Sequence, residues 1–208
     1  QEPSITSLQK IDSIVKDIIS SRKLLVYGGV AINTFLEKNK RDGIYPKTKK
    51  TVDDFNDIEI YSENPVEIML DIMNRCKKEH SLSLEGREAV HSNTISIKYY
   101  FVDIVDITFC PPSILEKIPF FAQNDIKYCD VNVLRIDLYR MAADPMNSSQ
   151  RWSKSKNRLD KLEEVLYDRG EIPKTLPTIK TDENNRKDVD IIDHIINNHL
   201  TGNKILYE

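Results

Sequence analysis

The chain has 208 residues, 39% of them hydrophobic and 30% charged, with a formal net charge of −3. That is length for one large domain, or one with a small appendage, and a composition that excludes a disordered polymer. No apolar run approaches the ~18 residues of a membrane span. The mild negative charge excludes a global pull on nucleic acid, so any such binding has to come from local patches.

Within residues 7–23, Leu8, Ile11, Ile14, Val15, Ile18 and Ile19 fall at i, i+3, i+4 spacings, which predicts an amphipathic helix. Residues 24–27 are apolar and partly β-branched and read as a short buried strand. Gly28 and Gly29 then permit a tight turn, and Val30, Ile32, Phe35 and Leu36 have the spacing of a second helix. A glycine pair at a helix N-terminus offers free N–H groups and a positive dipole end, which suits a phosphate. From 38 to 56 the chain is polar and holds Lys38, Lys40, Arg41, Lys47, Lys49 and Lys50. It reads as a long loop, either a solvated insertion or a set of cations facing a nucleic-acid or triphosphate backbone.

Asp57-Ile58-Glu59-Ile60-Tyr61 alternates, so one strand is expected to carry Asp57 and Glu59 on one face, close together and toward the glycine turn. Neighbouring carboxylates repel unless a cation lies between them, and hard oxygen donors suit Mg²⁺. Pro65 marks a helix start, with Val66, Met69, Leu70, Ile72 and Met73 as its apolar face. Strand-like runs follow around 81–90, 94–100 and 101–109. The last holds Asp103 and Asp106, three apart and so on opposite faces, with Ile104 and Thr108 sharing the face of Asp106.

After Cys110 the chain reads as mostly helical. A short helix opens at Pro111-Pro112, a second covers 133–143 with Leu134, Leu138 and Met141 on one face, and a basic third runs from 151 to about 167. Trp152, Leu159, Leu162 and Leu166 are its expected packed side. Residues 168–187 read as a linker and 189–200 as a further apolar-patterned segment, whose His194 and His199 lack the spacing of paired metal ligands. The three cysteines, Cys76, Cys110 and Cys129, are far apart with no C-x-x-C, which fits reduced thiols in an intracellular compartment.

Strand, Gly-Gly, helix, then acid–apolar–acid on a second strand resembles the nucleotidyltransferase superfamily typified by DNA polymerase beta. Tyr27-Gly28-Gly29-Val30-Ala31-Ile32-Asn33, Asp57-Ile58-Glu59-Ile60-Tyr61 and Asp106-Ile107-Thr108-Phe109-Cys110-Pro111-Pro112 resemble the poly(A) polymerase catalytic subunits of poxviruses and giant DNA viruses. Leu134-Arg135-Ile136-Asp137-Leu138-Tyr139-Arg140, Asp144-Pro145 and Arg151-Trp152 through Arg158-Leu159 are similar to that family's helical segments. The family usually has Asp-x-Asp where this chain has Asp57-x-Glu59, a change that the superfamily accepts.

The resemblance implies an α+β fold: a nucleotidyltransferase mixed sheet flanked by helices over 1–130 and a helical part over 131–208. Such subunits are longer, so a further domain is expected, with Ile205-Leu206-Tyr207 as an apolar run leading toward it. The implied activity is transfer of AMP from ATP to RNA 3′-ends. Asp57, Glu59 and Asp106 would be catalytic and would hold two Mg²⁺ (or Mn²⁺) ions, with Asp103 the alternative third acid. Gly28, Gly29, Asn33, Lys154 and Arg158 would bind the nucleotide. Implied partners are ATP, an RNA 3′-end and a further domain or subunit, either a second copy or a processivity partner, in the cytoplasm (viral factory or virion). Two other readings use the same residues: nucleotidyl transfer to a small-molecule or protein acceptor, and a non-catalytic RNA-binding or assembly paralogue.

Overall fold

A computed structural model describes residues 2–89, 91–143 and 151–172. The predicted segments at 173–208 and the Asp144-Pro145 pair lie outside the described residues. Helix α1 (Ile5–Ser21) opens at Ser4, whose hydroxyl accepts the Ser7 N–H, and buries all six of its predicted apolar positions. Strand β1 (Leu25–Tyr27) passes directly into α2 (Gly28–Lys38). The long loop follows, with one 3₁₀ turn at Val52–Asp54. Next come β2 (Ile58–Ser62), α3 (Pro65–His80), β3 (Glu85–Glu88), β4 (Thr94–Tyr99) and β5 (Val102–Phe109). The described chain continues through α4 (Pro112–Leu115), β6 (Phe120–Gln123), β7 (Ile126–Cys129), α5 (Val131–Ala143) and α6 (Trp152–Asp168).

Among the described residues, seven strands make one mixed sheet in the order β3-β4-β5-β2-β1-β7-β6. β1 is antiparallel to β2 and parallel to β7, and β2 is parallel to β5. One sheet face carries Val26, Ile60, Val105 and Ile107, none more than 1% exposed. Helices α1, α2 and α3 cover it, with α1 packed on α3 and Phe35 of α2 set edge-on to Phe121 of β6. The other face carries Tyr27, Glu59, Tyr61, Asp106 and Thr108, all partly exposed. The chain divides into two compact units, 1–165 and 166–208, and the site described below lies in the first.

Four expectations need correction. The β6–β7 hairpin replaces part of the predicted helical stretch. Its two-residue turn, Asn124-Asp125, has positive φ at both positions (49° and 61°), the twist that suits a hairpin. Helix α3 buries Ile68, Ile72 and Cys76, one residue per turn, while Val66 and Leu70 are about half exposed. Met69 instead packs on Gly86 of β3, where a Cβ would collide with its sulfur. Trp152 is 48% exposed, its indole N–H donating to the Ala142 carbonyl, while Leu159 and Leu162 form the buried side of α6. Finally, the pairing of β4 with β5 slips between Ile97 and Lys98, so Ile104 and Val105 are buried in succession and Ile104 leaves the face of Asp106.

Candidate active site

Strand register brings the acids together. The antiparallel pairing of β1 with β2 sets Tyr27 opposite Glu59, so the glycine turn after Tyr27 lies beside the start of β2. The parallel pairing of β2 with β5 sets Glu59 beside Asp106. Asp57 stands one residue ahead of β2 rather than on it, still in alternating phase with Glu59. Asp103 is drawn off by Lys98, at 2.7 Å. Below the acids, Tyr27 and Tyr61 stack at 4.0 Å between ring centroids, and the Tyr27 hydroxyl joins those of Thr108 and Thr94 in a chain across the sheet.

The carboxylates are electrically strained. Burial pushes Glu59 up to about 7; the Gly29 N–H opposes this, and the charge of Asp57 adds to it. Burial, and then the charge of Asp106, also raises Asp57. Such shifts are those of carboxylates crowded in a partly buried site, with Lys154 and Arg158 acting the other way. Among the described residues no three metal-ligating side chains are gathered into a ready cation cage. Glu59 Oε2 accepts the Gly29 N–H at 2.7 Å. Asp57, Glu59 and Asp106 are carboxylates, hard oxygen donors of the type that suits Mg²⁺.

Side-chain ends lie over both glycines. Gly28 has φ +64°, and a Cβ there would overlap the Glu59 carboxylate. A Cβ on Gly29 would overlap the Tyr45 hydroxyl and lie 2.9 Å from Arg158. Facing this turn, α6 presents Lys154 and Arg158, one helical turn apart. Burial, and then the charge of Arg158, lowers Lys154, while Asp57 and Glu59 act the other way. The Arg158 guanidinium donates to the Tyr45 hydroxyl at 3.1 Å. Between the loop and α6 lies a cleft of about 470 Å³, lined by Gly43, Ile44, Tyr45, Lys154, Arg158 and Lys161. A larger cleft of about 670 Å³, lined by Arg22, Glu67 and Lys127, holds none of the three acids.

Asn33 of α2 lies against the loop. Its Oδ1 accepts the backbone N–H groups of Ile44 (2.8 Å) and Tyr45 (3.0 Å), folding the loop back on α2. Tyr45 was missed by sequence reasoning. Its only signal is that it is the single aromatic between Phe35 and Phe55, in an otherwise polar stretch. Also missed was the tie that fixes α6. Arg135, 8% exposed, donates to Glu163 at 3.2 Å and to Asn132 at 3.3 Å, and the Tyr139 hydroxyl donates to the same Glu163 carboxylate.

The mixed sheet with a glycine turn at the head of α2 and acids on the adjoining strands is a nucleotidyltransferase fold. Residues 13–148 match the model of the poly(A) polymerase catalytic subunit family, and the chain belongs to that family. A protein of Acanthamoeba polyphaga mimivirus assigned as such a subunit is 33% identical over 163 residues, covering 77% of this chain and 27% of its own length. One from African swine fever virus (isolate Tick/Malawi/Lil 20-1/1983) is 24% identical over 151 residues, covering 73% of this chain and 30% of its own. The crystal structure of the Megavirus polyadenylate synthase superposes with a TM-score of 0.72 at 30% identity, covering 79% of this chain and 32% of that one. The chain thus spans about a third or less of these relatives.

Proposed function

We propose that this chain carries the nucleotidyl-transfer site of a template-independent poly(A) polymerase, moving AMP from ATP to an RNA 3′-end. The observation that carries this reading is the register of Glu59 beside Asp106, with Asp57 adjoining and Lys154 and Arg158 facing them. Asp57, Glu59 and Asp106 would hold Mg²⁺ (or Mn²⁺), which supplies charge neutralisation at the triphosphate and acidifies the primer hydroxyl. The protein's own groups supply the rest. Gly28 and Gly29 offer backbone N–H groups to the terminal phosphates, for which Glu59 has to release the Gly29 N–H. Asp106 helps take the 3′-hydroxyl proton. Lys154 and Arg158 neutralise the departing pyrophosphate. Asn33 acts one step back, by holding the loop.

The full enzyme would grip its primer with a further domain or subunit and work in the cytoplasm, in a viral factory or virion. Among the described residues no helix is long and apolar enough to cross a membrane. The experiment is Mg²⁺-dependent incorporation of labelled AMP into an RNA oligonucleotide by the wild type and by Asp57→Ala. Asp57→Ala is expected to abolish incorporation and leave the metal-free melting temperature equal or higher, because one of the repelling carboxylates is gone. Undiminished incorporation by that variant would refute the metal assignment.

A further inference from the structure

The loop after α2 delivers an aromatic hydroxyl to the glycine turn, and three separate anchors hold it there. Asn33 takes the Ile44 and Tyr45 N–H groups. Lys161 Nζ donates to the Gly43 carbonyl at 3.3 Å, and Arg158 donates to the Tyr45 hydroxyl at 3.1 Å. The absence of a side chain at Gly43 is part of the fit, because a Cβ there would overlap Asn33 Oδ1. The hydroxyl comes to lie so close over Gly29 that any side chain at that position would displace it. Tyr45 is partly exposed, and its hydroxyl lies at the start of α2, within the field of Glu59 and Asp57.

We propose that Tyr45 is a phosphate-positioning residue: with its oxygen held by Arg158, it donates its proton to a β- or γ-phosphate oxygen of a nucleoside triphosphate seated over Gly29. This rests on the nucleotidyl-transfer reading above and adds a group to it. The phenol oxygen accepts from Arg158, which leaves its own proton to donate, and a triphosphate oxygen is the acceptor that the site chemistry brings there. The Glu59 carboxylate accepts the Gly29 N–H and so marks where an anionic oxygen is favoured. The proton remains on the phenol throughout, since burial and the charges of Glu59 and Asp57 hold Tyr45 in its neutral form despite the opposing pull of Arg158. Asn33 is then a positioning residue for Tyr45.

The test is calorimetric titration of the 208-residue chain with Mg²⁺ and either a non-hydrolysable ATP analogue or AMP, for wild type, Tyr45→Phe and Asn33→Ala. Tyr45→Phe keeps the ring and deletes the donor. It is expected to weaken the triphosphate roughly tenfold, in line with a hydrogen bond to a charged group, and to leave AMP binding and the melting temperature unchanged. Asn33→Ala is expected to lose a similar factor for the triphosphate alone. In primer extension the KM for ATP rises while the KM for RNA stays. Wild-type affinity of Tyr45→Phe for the triphosphate, tighter binding by it, or an equal loss for AMP would each overturn the role of the hydroxyl. A wild type that binds no ATP analogue would overturn the parent reading instead.

Discussion

At the scale of single residues, the site is a set of exclusions around Gly28. The residue combines left-handed backbone with a side-chain position already taken by the Glu59 carboxylate. Gly28→Ala should therefore cost about 1 kcal/mol for the backbone, plus whatever Glu59 loses when displaced. In a Glu59→Ala background only the backbone part should remain, so urea unfolding of the two singles and the double separates the terms. Equal costs in both backgrounds would mean that Glu59 does not lie over Gly28.

Glu59 also predicts a pH dependence. Its carboxyl is raised from an ordinary 4.5 to about 7, so between those values the folded state holds a proton that the unfolded state has released. Stability from this group is then fully present below about 4.5 and is lost as pH rises through about 7. Glu59→Gln removes the ionisation and can still accept the Gly29 N–H. In chelator, the variant should melt above wild type at pH 8, and the gap should close by pH 4.5. A gap independent of pH would show that Glu59 is not the titrating group.

At the scale of elements, the decisive contact is the one that sets α6, because Lys154 and Arg158 reach the acids only if that helix is correctly placed. Arg135 and Tyr139, one turn apart on α5, both grip Glu163. Arg135 is buried, its Nε has no hydrogen-bond partner, and Glu163 is the carboxylate paired with it. Glu163→Leu should cost roughly 3 kcal/mol by leaving a buried cation unpaired, and adding Arg135→Met should recover most of it. Chemical denaturation of the single and double variants measures this. A double variant no better than the single would show that the tie does not act as an ion pair. The family-like run from Leu134 to Arg140 thereby gains a physical meaning: two of its members are the hand that holds α6.

At the scale of the whole molecule, a template-free polymerase has to grip several primer nucleotides as well as a nucleotide, and that grip is electrostatic and stacking in origin. The net charge here is −3. Many described cations are also engaged within the fold, such as Arg22 with Asp71, Arg75 with Asp17 and Lys98 with Asp103. The 208-residue chain alone is therefore expected to bind labelled oligo(A) only weakly near physiological salt, and a further domain or subunit to supply the rest of the affinity. Submicromolar binding of oligo(A) by this chain as a monomer would contradict that.

What the sequence determined by itself is what local periodicity and residue chemistry can carry. The six buried positions of α1, the strand–glycine–helix start of the site and the alternation around Glu59 were legible because each depends on neighbours within one element. The family likeness of the acid-bearing runs was legible for the same reason, since those motifs are short and contiguous. The tertiary structure decided matters that depend on pairing between distant segments. The placement of Asp106 beside Glu59 is set by the β2–β5 register, which no count along β5 alone reveals. The β6–β7 hairpin was hidden because its strands are four residues each, too short for a clear period, although the Asn124-Asp125 turn was a readable sign. Tyr45 could be placed only by a fold that brings Asn33, Gly43 and Arg158 to one point. The turn of Glu59 toward Gly29 was likewise a tertiary decision, since buried like charges settle on whichever donor the fold leaves within reach.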